Sequence, residues 1–323
     1  MPSQMAAYKA DLLQRYWRYQ HSTFPEWWDY FDQPRADGAH PPVFRKDRAC
    51  QNVLVEPGAS RPRHDELLAL LPAFDRHKWF RSMNSSQALT QSVFGNLAIH
   101  GCLESLADLQ DDDGMKLLGD AQVSSENFAM EWKVDYLGEP HATSVDCYVG
   151  GTYQVAIECK FTEADVGDCS RPRLAKTASN YASDHCNGTY SRQRNRTARC
   201  SLTEIGVLYW RYVPQLFTWD GESDHSPCPL RKNYQLVRNI LAAGVGPDGQ
   251  ASAANGHAVL IYDARNPAFQ KGGKGWMAFG ETRHALREPA MLRKCSWQRL
   301  IQHMREKDVL PWLQDLLARK YGF

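Results

Sequence analysis

The segment Val155-Ala156-Ile157-Glu158-Cys159-Lys160-Phe161 constrains this chain more than any other. Its apolar residues fall on both faces of a strand, which predicts burial on both sides. Yet it carries a carboxylate and an ammonium two residues apart. Residues i and i+2 of a strand share a face, so Glu158 and Lys160 project together while Cys159 turns into a core. Just upstream, residues 144–149 are β-rich and end at Gly150-Gly151. The two segments read as an antiparallel hairpin. With Val149 set opposite Gln154, Asp146 falls opposite Ile157, within one residue of Glu158. A bulge or strong twist then brings the two carboxylates together at the sheet edge. On an ordinary solvated strand a Glu and a Lys two apart carry no chemistry. The apolar flanks argue against that reading here. Neighbouring carboxylates raise each other's pKa unless a cation lies between them. Mg²⁺ is such a cation, binding one or two carboxylates with water and substrate phosphate.

The rest of the chain supplies an α/β frame. Helical spacing of Tyr8, Leu12, Leu13, Tyr16 and Tyr19 predicts a helix over 8–20. Residues 32–62 are rich in Pro, Gly and charge and read as irregular. Ser85-Ser86-Gln87 opens a second helical pattern in which Leu89, Val93, Leu97, Cys102, Leu106 and Leu109 share a face. Strands are expected at 128–137, 144–149, 154–161 and 257–263, with a helix over 234–243 closed by Gly244. Residues 291–320 read as amphipathic helix. The expected order is helix, three strands, long insertion, helix, strand and helices, giving a layered domain with a mixed sheet. The division is an N-terminal helical and irregular extension (1–80), a core (81–290) with an insertion (162–229), and a C-terminal helical segment (291–323). Together they are expected to form one compact domain.

The motif Ser144-Val145-Asp146 followed by Val155-Ala156-Ile157-Glu158-Cys159-Lys160 resembles that of the PD-(D/E)XK nuclease superfamily, the restriction-endonuclease-like fold. The superfamily core of helix, three strands, helix and strand also resembles the order read over 87–263. Val145 departs from the signature, which has Pro there. The resemblance implies that Asp146, Glu158 and the backbone carbonyl of Cys159 hold one or two Mg²⁺ ions. It makes Lys160 the catalytic lysine. Members often add an upstream acid, for which Glu131 is the first candidate and Glu126 the second. Glu163 is expected near the site. Gln235, Arg238 and Asn239 lie on the helix that borders the site in this fold. They are candidates to contact phosphate or the attacking water, with an ordinary polar helix face as the alternative. The implied reaction is phosphodiester hydrolysis, in DNA, by an endonuclease of restriction or defence type.

The insertion carries Arg171, Arg173, Lys176, Arg192, Arg194, Arg196 and Arg199 against a single acid, Asp184, between 171 and 199. Arginine forks suit phosphate, so these residues are candidate phosphate contacts alongside Gln235. A solvated loop is the plainer alternative. Cys169, Cys186, Cys200 and Cys228 lie in the same region. Four thiolates suit zinc or an iron–sulfur cluster, though no CxxC pair is present. Cys50, Cys102, Cys147, Cys159 and Cys295 read as buried small apolar residues. Nine Cys with no apolar leader at 1–10 suggest free thiols in a reducing cytoplasm. No apolar run long enough to span a membrane is present. Formal charge is only +1, so a polyanion partner requires locally concentrated positive charge. Duplex DNA is the expected partner, and a homodimer is left open. The rival reading is a non-catalytic nucleic-acid-binding module stapled by zinc. Asp263 with Arg265 reads as a structural pair. Gly272-Gly273-Lys274-Gly275 lacks P-loop spacing. Trp27-Trp28 reads as core before base-stacking surface.

Overall fold

The computed structural model describes residues 3–32, 40–140, 143–193 and 196–323. Helix α1 (Gln4–Thr23) is capped by Ser3, whose hydroxyl accepts from the amide of Ala6. Its Tyr8, Leu12, Tyr16 and Tyr19 form one buried stripe at helical spacing. Helix α2 (Arg61–Ala69) follows the irregular stretch. Helix α3 (Ser86–Thr90), capped by Ser85, passes through a π-helical turn (Gln91–Gly95) into α4 (Asn96–Ile99). The expected helix reached 109. Instead it stops where Gly101 adopts a positive φ of 65°, and the apolar pattern continues in a 3₁₀ segment, Leu103–Asp108.

Five strands make one mixed sheet in the order β1-β2-β3-β4-β5. They are β1 (Phe128–Val134), β2 (Thr143–Val149), β3 (Gln154–Cys159), β4 (Gly256–Tyr262) and β5 (Leu292–Ser296). The first three pair antiparallel; β3–β4 and β4–β5 are parallel. Between β3 and β4 lie the insertion helices α5 (Tyr181–Asp184), α6 (Ser201–Glu204) and α7 (Tyr209–Leu216), then α8 (Leu230–Gly244). Helix α9 (Lys274–Ala285) precedes β5, and α10 (Trp297–Glu306) and α11 (Pro311–Tyr321) close the chain. The reading of 291–320 as helix thus needs correction at its start. The side chains of Leu292 and Cys295 are buried at the sheet edge, and Ser296 then caps α10.

Alternation along β4 shows how the layers form. Val259 and Ile261 enter the core built with α1, α4, α10 and α11, while Ala258 and Leu260 enter the core built with α7, α8 and α9. Strand β3 does the same. Val155, Ile157 and Cys159 face the first core and Ala156 the second, so Glu158 is directed beneath α8. The first core runs from Tyr8 to Tyr321, so both terminal extensions share it with the sheet. Asp263 and Arg265 are indeed a structural pair. The guanidinium bonds the Asp263 carboxylate at 2.7 Å and the carbonyl of Tyr321 at 2.9 Å, tying α11 to the end of β4. The glycines at the start of α9 serve packing. A Cβ on Gly273 would meet the Pro267 carbonyl oxygen at 2.2 Å. Trp27 packs against the core while Trp28 is exposed.

Lys320 is fully buried in α11, donating to the backbone and side-chain oxygens of Asn52 at 2.5 and 2.8 Å. Burial pushes its pKa down to about 7. The unfolded chain therefore binds the proton more tightly between about pH 7 and the ordinary lysine value, and stability rises with pH across that window. Denaturant unfolding from pH 7 to 10 should show wild type gaining on Lys320→Met, by at most ~1.4 kcal/mol per pH unit. Parallel curves would contradict this account.

Candidate active site

The hairpin register differs by one residue from the expected one. Val149 faces Val155 and Cys147 faces Ile157, so the next position along β2, Asp146, comes level with Glu158. The slip brings about the approach that the sequence reading assigned to a bulge or a strong twist. Asp146 leaves the ladder there, and its Oδ2 accepts from the amide of Cys159 at 2.7 Å. Across β1, Glu131 lies between the Met130–Cys147 and Trp132–Val145 pairs, also level with Asp146. Its φ of +48° is rare for a residue with a side chain. Gln87 of α3 and the hydroxyl of Ser144 both donate to its carboxylate. These bonds hold a conformation that costs on the order of 1–3 kcal/mol.

Glu158 is 3% exposed. Its Oε1 accepts from Lys160 Nζ at 2.7 Å; its Oε2 accepts from Asn239 Nδ2 at 2.7 Å and lies 3.4 Å from the Arg238 guanidinium. Lys160 Nζ also donates to Gln235 Oε1 at 2.7 Å. Gln235, Arg238 and Asn239 of α8 therefore serve Glu158 and Lys160. Glu163 accepts from the amide of Phe161 at 2.5 Å. Glu131, Asp146, Glu158, Lys160, Glu163 and Gln235 line a single cleft of about 650 Å³, with Cys159 at its wall.

The electrostatics separate the two central carboxylates. Burial, then the charges of Glu158 and Glu131, push Asp146 well above the usual carboxylate range. Burial pushes Glu158 up as well, but Lys160, Arg238 and the hydrogen bond from Asn239 outweigh it and hold Glu158 low. Burial opposes the charge on Lys160, yet Glu158, Glu163 and Asp146 hold its pKa above the ordinary value. Lys160 is thus held as an ammonium donor, whereas Asp146 is held toward its neutral form.

Several candidates lie elsewhere. Glu126 is exposed in the loop before β1. Arg171 pairs with Asp184 at 2.5 Å, Arg196 donates to the carbonyls of Ser183 and His185, and Arg199 pairs with Asp224 at 3.0 Å. These three are engaged within the insertion itself. Arg173 and Arg192 are exposed, and Arg194 lies outside the described residues. None of the described arginines of the insertion lines the cleft; Arg76 and His77 do, with Asp75, Trp79 and Gln87. The sequence reading missed that group. Nothing in the sequence ties residues 75–87 to a hairpin far downstream. Cys50 and Cys102 are only half-buried, unlike Cys147, Cys159 and Cys295. Among the described residues no group of three or more His, Cys, Asp or Glu is arranged to hold a metal ion as the side chains stand. No helix among the described residues is long and apolar enough to cross a membrane.

A mixed five-stranded sheet with helical flanks, presenting carboxylates and a lysine from its central hairpin, is a restriction-endonuclease-like core. A family model described as Restriction Endonuclease associating with ARP matches residues 12–322, and the chain belongs to that family. No curated protein and no solved structure matches the chain.

The geometry gives opposite expectations for the two carboxylates in chelator-containing buffer. Glu158→Ala strands two buried cations and should lower the unfolding free energy by roughly 3–5 kcal/mol. Asp146→Asn removes a disfavoured charge and should leave stability unchanged or raise it. Equal losses in denaturant unfolding would refute the assignment.

Proposed function

We propose that this chain is a Mg²⁺-dependent endonuclease of the PD-(D/E)XK type, hydrolysing phosphodiester bonds of duplex DNA in a restriction or defence setting. The observation that carries the reading is the convergence of Asp146, Glu158 and Lys160 in one cleft. Membership of a restriction-endonuclease family supports it.

The donor set fits Mg²⁺, which needs only one or two carboxylates and completes its sphere with water and substrate oxygen. Asp146 and Glu158 would hold it, with the carbonyl of Cys159. Both Glu158 oxygens already accept hydrogen bonds, but each carboxylate oxygen has two acceptor sites. Asp146 sits beside Glu158 and Glu131, and a cation between carboxylates relieves such like-charge crowding. Bound Mg²⁺ supplies Lewis-acid polarisation of the phosphate and eases ionisation of water.

The protein's own groups do the rest. Gln235 and Glu158 hold the Lys160 ammonium through two of its N–H groups, which leaves a third N–H available to a phosphate oxygen. Held as an ammonium by the carboxylates around it, Lys160 acts as a donor to the charge developing on the phosphoryl oxygens. Asn239 and Arg238 fix the Glu158 carboxylate so that it does not rotate away. At the rim, the cleft-lining Trp79 is 51% exposed; Phe74, the chain neighbour of Asp75, is 85% exposed. Such rings offer stacking surface to bases.

Plasmid and linear duplex DNA incubated with wild type and Lys160→Ala, each with Mg²⁺ and with EDTA, test the roles. Wild type should cut only with Mg²⁺, and the variant should lose on the order of 10²-fold or more. Equal cutting by both would displace Lys160 from the mechanism. DNA binding with no cutting by either would favour the non-catalytic binding module. For the rim, Trp79→Ala should keep its thermal stability and weaken oligonucleotide binding by about 1–3 kcal/mol. Unchanged affinity would remove the stacking role.

A further inference from the structure

The cysteines of the insertion are separated by 16, 13 and 27 intervening residues, yet the fold brings their segments together. The amide of Cys169 donates to the carbonyl of Arg231, three residues past Cys228. The amide of Cys228 donates to the carbonyl of Gly188, two residues past Cys186. Tyr190 and His225 exchange a pair of backbone bonds at 2.9 and 2.8 Å. Helix α6, which begins directly after Cys200, packs against α5, which ends two residues before Cys186. Cys169 and Cys200 belong to one buried cluster, against which Cys228 packs. Cys228 lies within electrostatic range of the other three thiols.

All four cysteines are free of disulfides.

The insertion also needs a fastener. Its helices α5 and α6 have four residues each, too short to be stable alone. We propose that Cys169, Cys186, Cys200 and Cys228 are the four ligands of a structural zinc ion that fastens the insertion to the start of α8. The side chains do not yet close a coordination sphere; the ion would draw them in, as binding and local ordering are coupled in structural zinc sites. Zinc would replace four protons, leaving four thiolates in a closed tetrahedral site. The consequence reaches the cleft. Cys228 lies two residues before α8, the helix carrying Gln235, Arg238 and Asn239.

Elemental analysis of the full chain, purified from zinc-supplemented cells without chelator, tests this independently of nuclease activity. About one zinc per chain is expected in wild type, Cys50→Ser and Cys102→Ser, and a loss of most of it in Cys200→Ser and Cys228→Ser. Should those two variants be insoluble, titration of wild type with a mercurial reagent decides the point, with about four thiols blocked per zinc released. Cobalt-substituted wild type should likewise show strong thiolate charge-transfer absorption. No zinc in wild type, zinc retained by both variants, or iron in its place would overturn the proposal.

Discussion

The buried contact between Glu158 and α8 is the constraint on which the rest depends. A carboxylate at 3% exposure is tolerable only when its charge is answered. Here it is answered three ways, by Lys160 just past the end of its strand and by Arg238 and Asn239 from the helix above. Such a pairing contributes little net stability, because desolvation offsets most of the attraction. Its effect is geometric. It fixes the rotation of α8 over the sheet, and that rotation places Gln235 against Lys160. One interaction therefore sets both strand-borne groups and the helix that covers them.

Asp146 is the opposite case. It approaches Glu158 and Glu131 with the Cys159 amide as the donor to its carboxylate, and burial leaves it reluctant to ionise. Beside it, Glu131 is held in a left-handed conformation within a strand. Strain and like-charge crowding concentrated at one spot of an otherwise regular sheet are a cost to folding, and such costs persist where a site needs them. The surrounding sheet is what absorbs them. Strands β3 and β4 are buried on both faces, and their pairing is uninterrupted from Gln154–Gly256 to Cys159–Ile261.

What the sequence reveals follows from how local each signal is. Glu158 and Lys160 are legible because a period of two within an apolar run dictates a shared face. The helix-strand order is legible because each element carries its own periodicity. The register of the hairpin is not, since Gly150-Gly151 permits loops that differ by one residue, and one residue decides which side chain meets Glu158. Strand β5 escapes because Leu-Arg-Lys-Cys-Ser alternates poorly and runs directly into a helix. The insertion arginines mislead for a related reason. Glu222 and Asp224 are distant from Arg199 in sequence, yet they lie beside it in space. Arg171 is likewise met by Asp184. Local charge counts overstate free positive charge when acids return from elsewhere in the chain.

The same long-range logic bears on how Lys160 works. An isolated buried lysine loses its proton readily, as Lys320 illustrates with its pKa pushed down to about 7. Lys160 is buried to a similar degree but faces Glu158, Glu163 and Asp146, and its pKa moves up instead. Two lysines in one chain, both deprived of water, are driven in opposite directions by their neighbours. Burial alone would have made Lys160 a base. The carboxylates around it hold it as an ammonium instead. A cation entering beside Asp146 would reduce the field that holds that proton, so the acidity of Lys160 and the occupancy of the carboxylates are coupled through a separation of a few side chains.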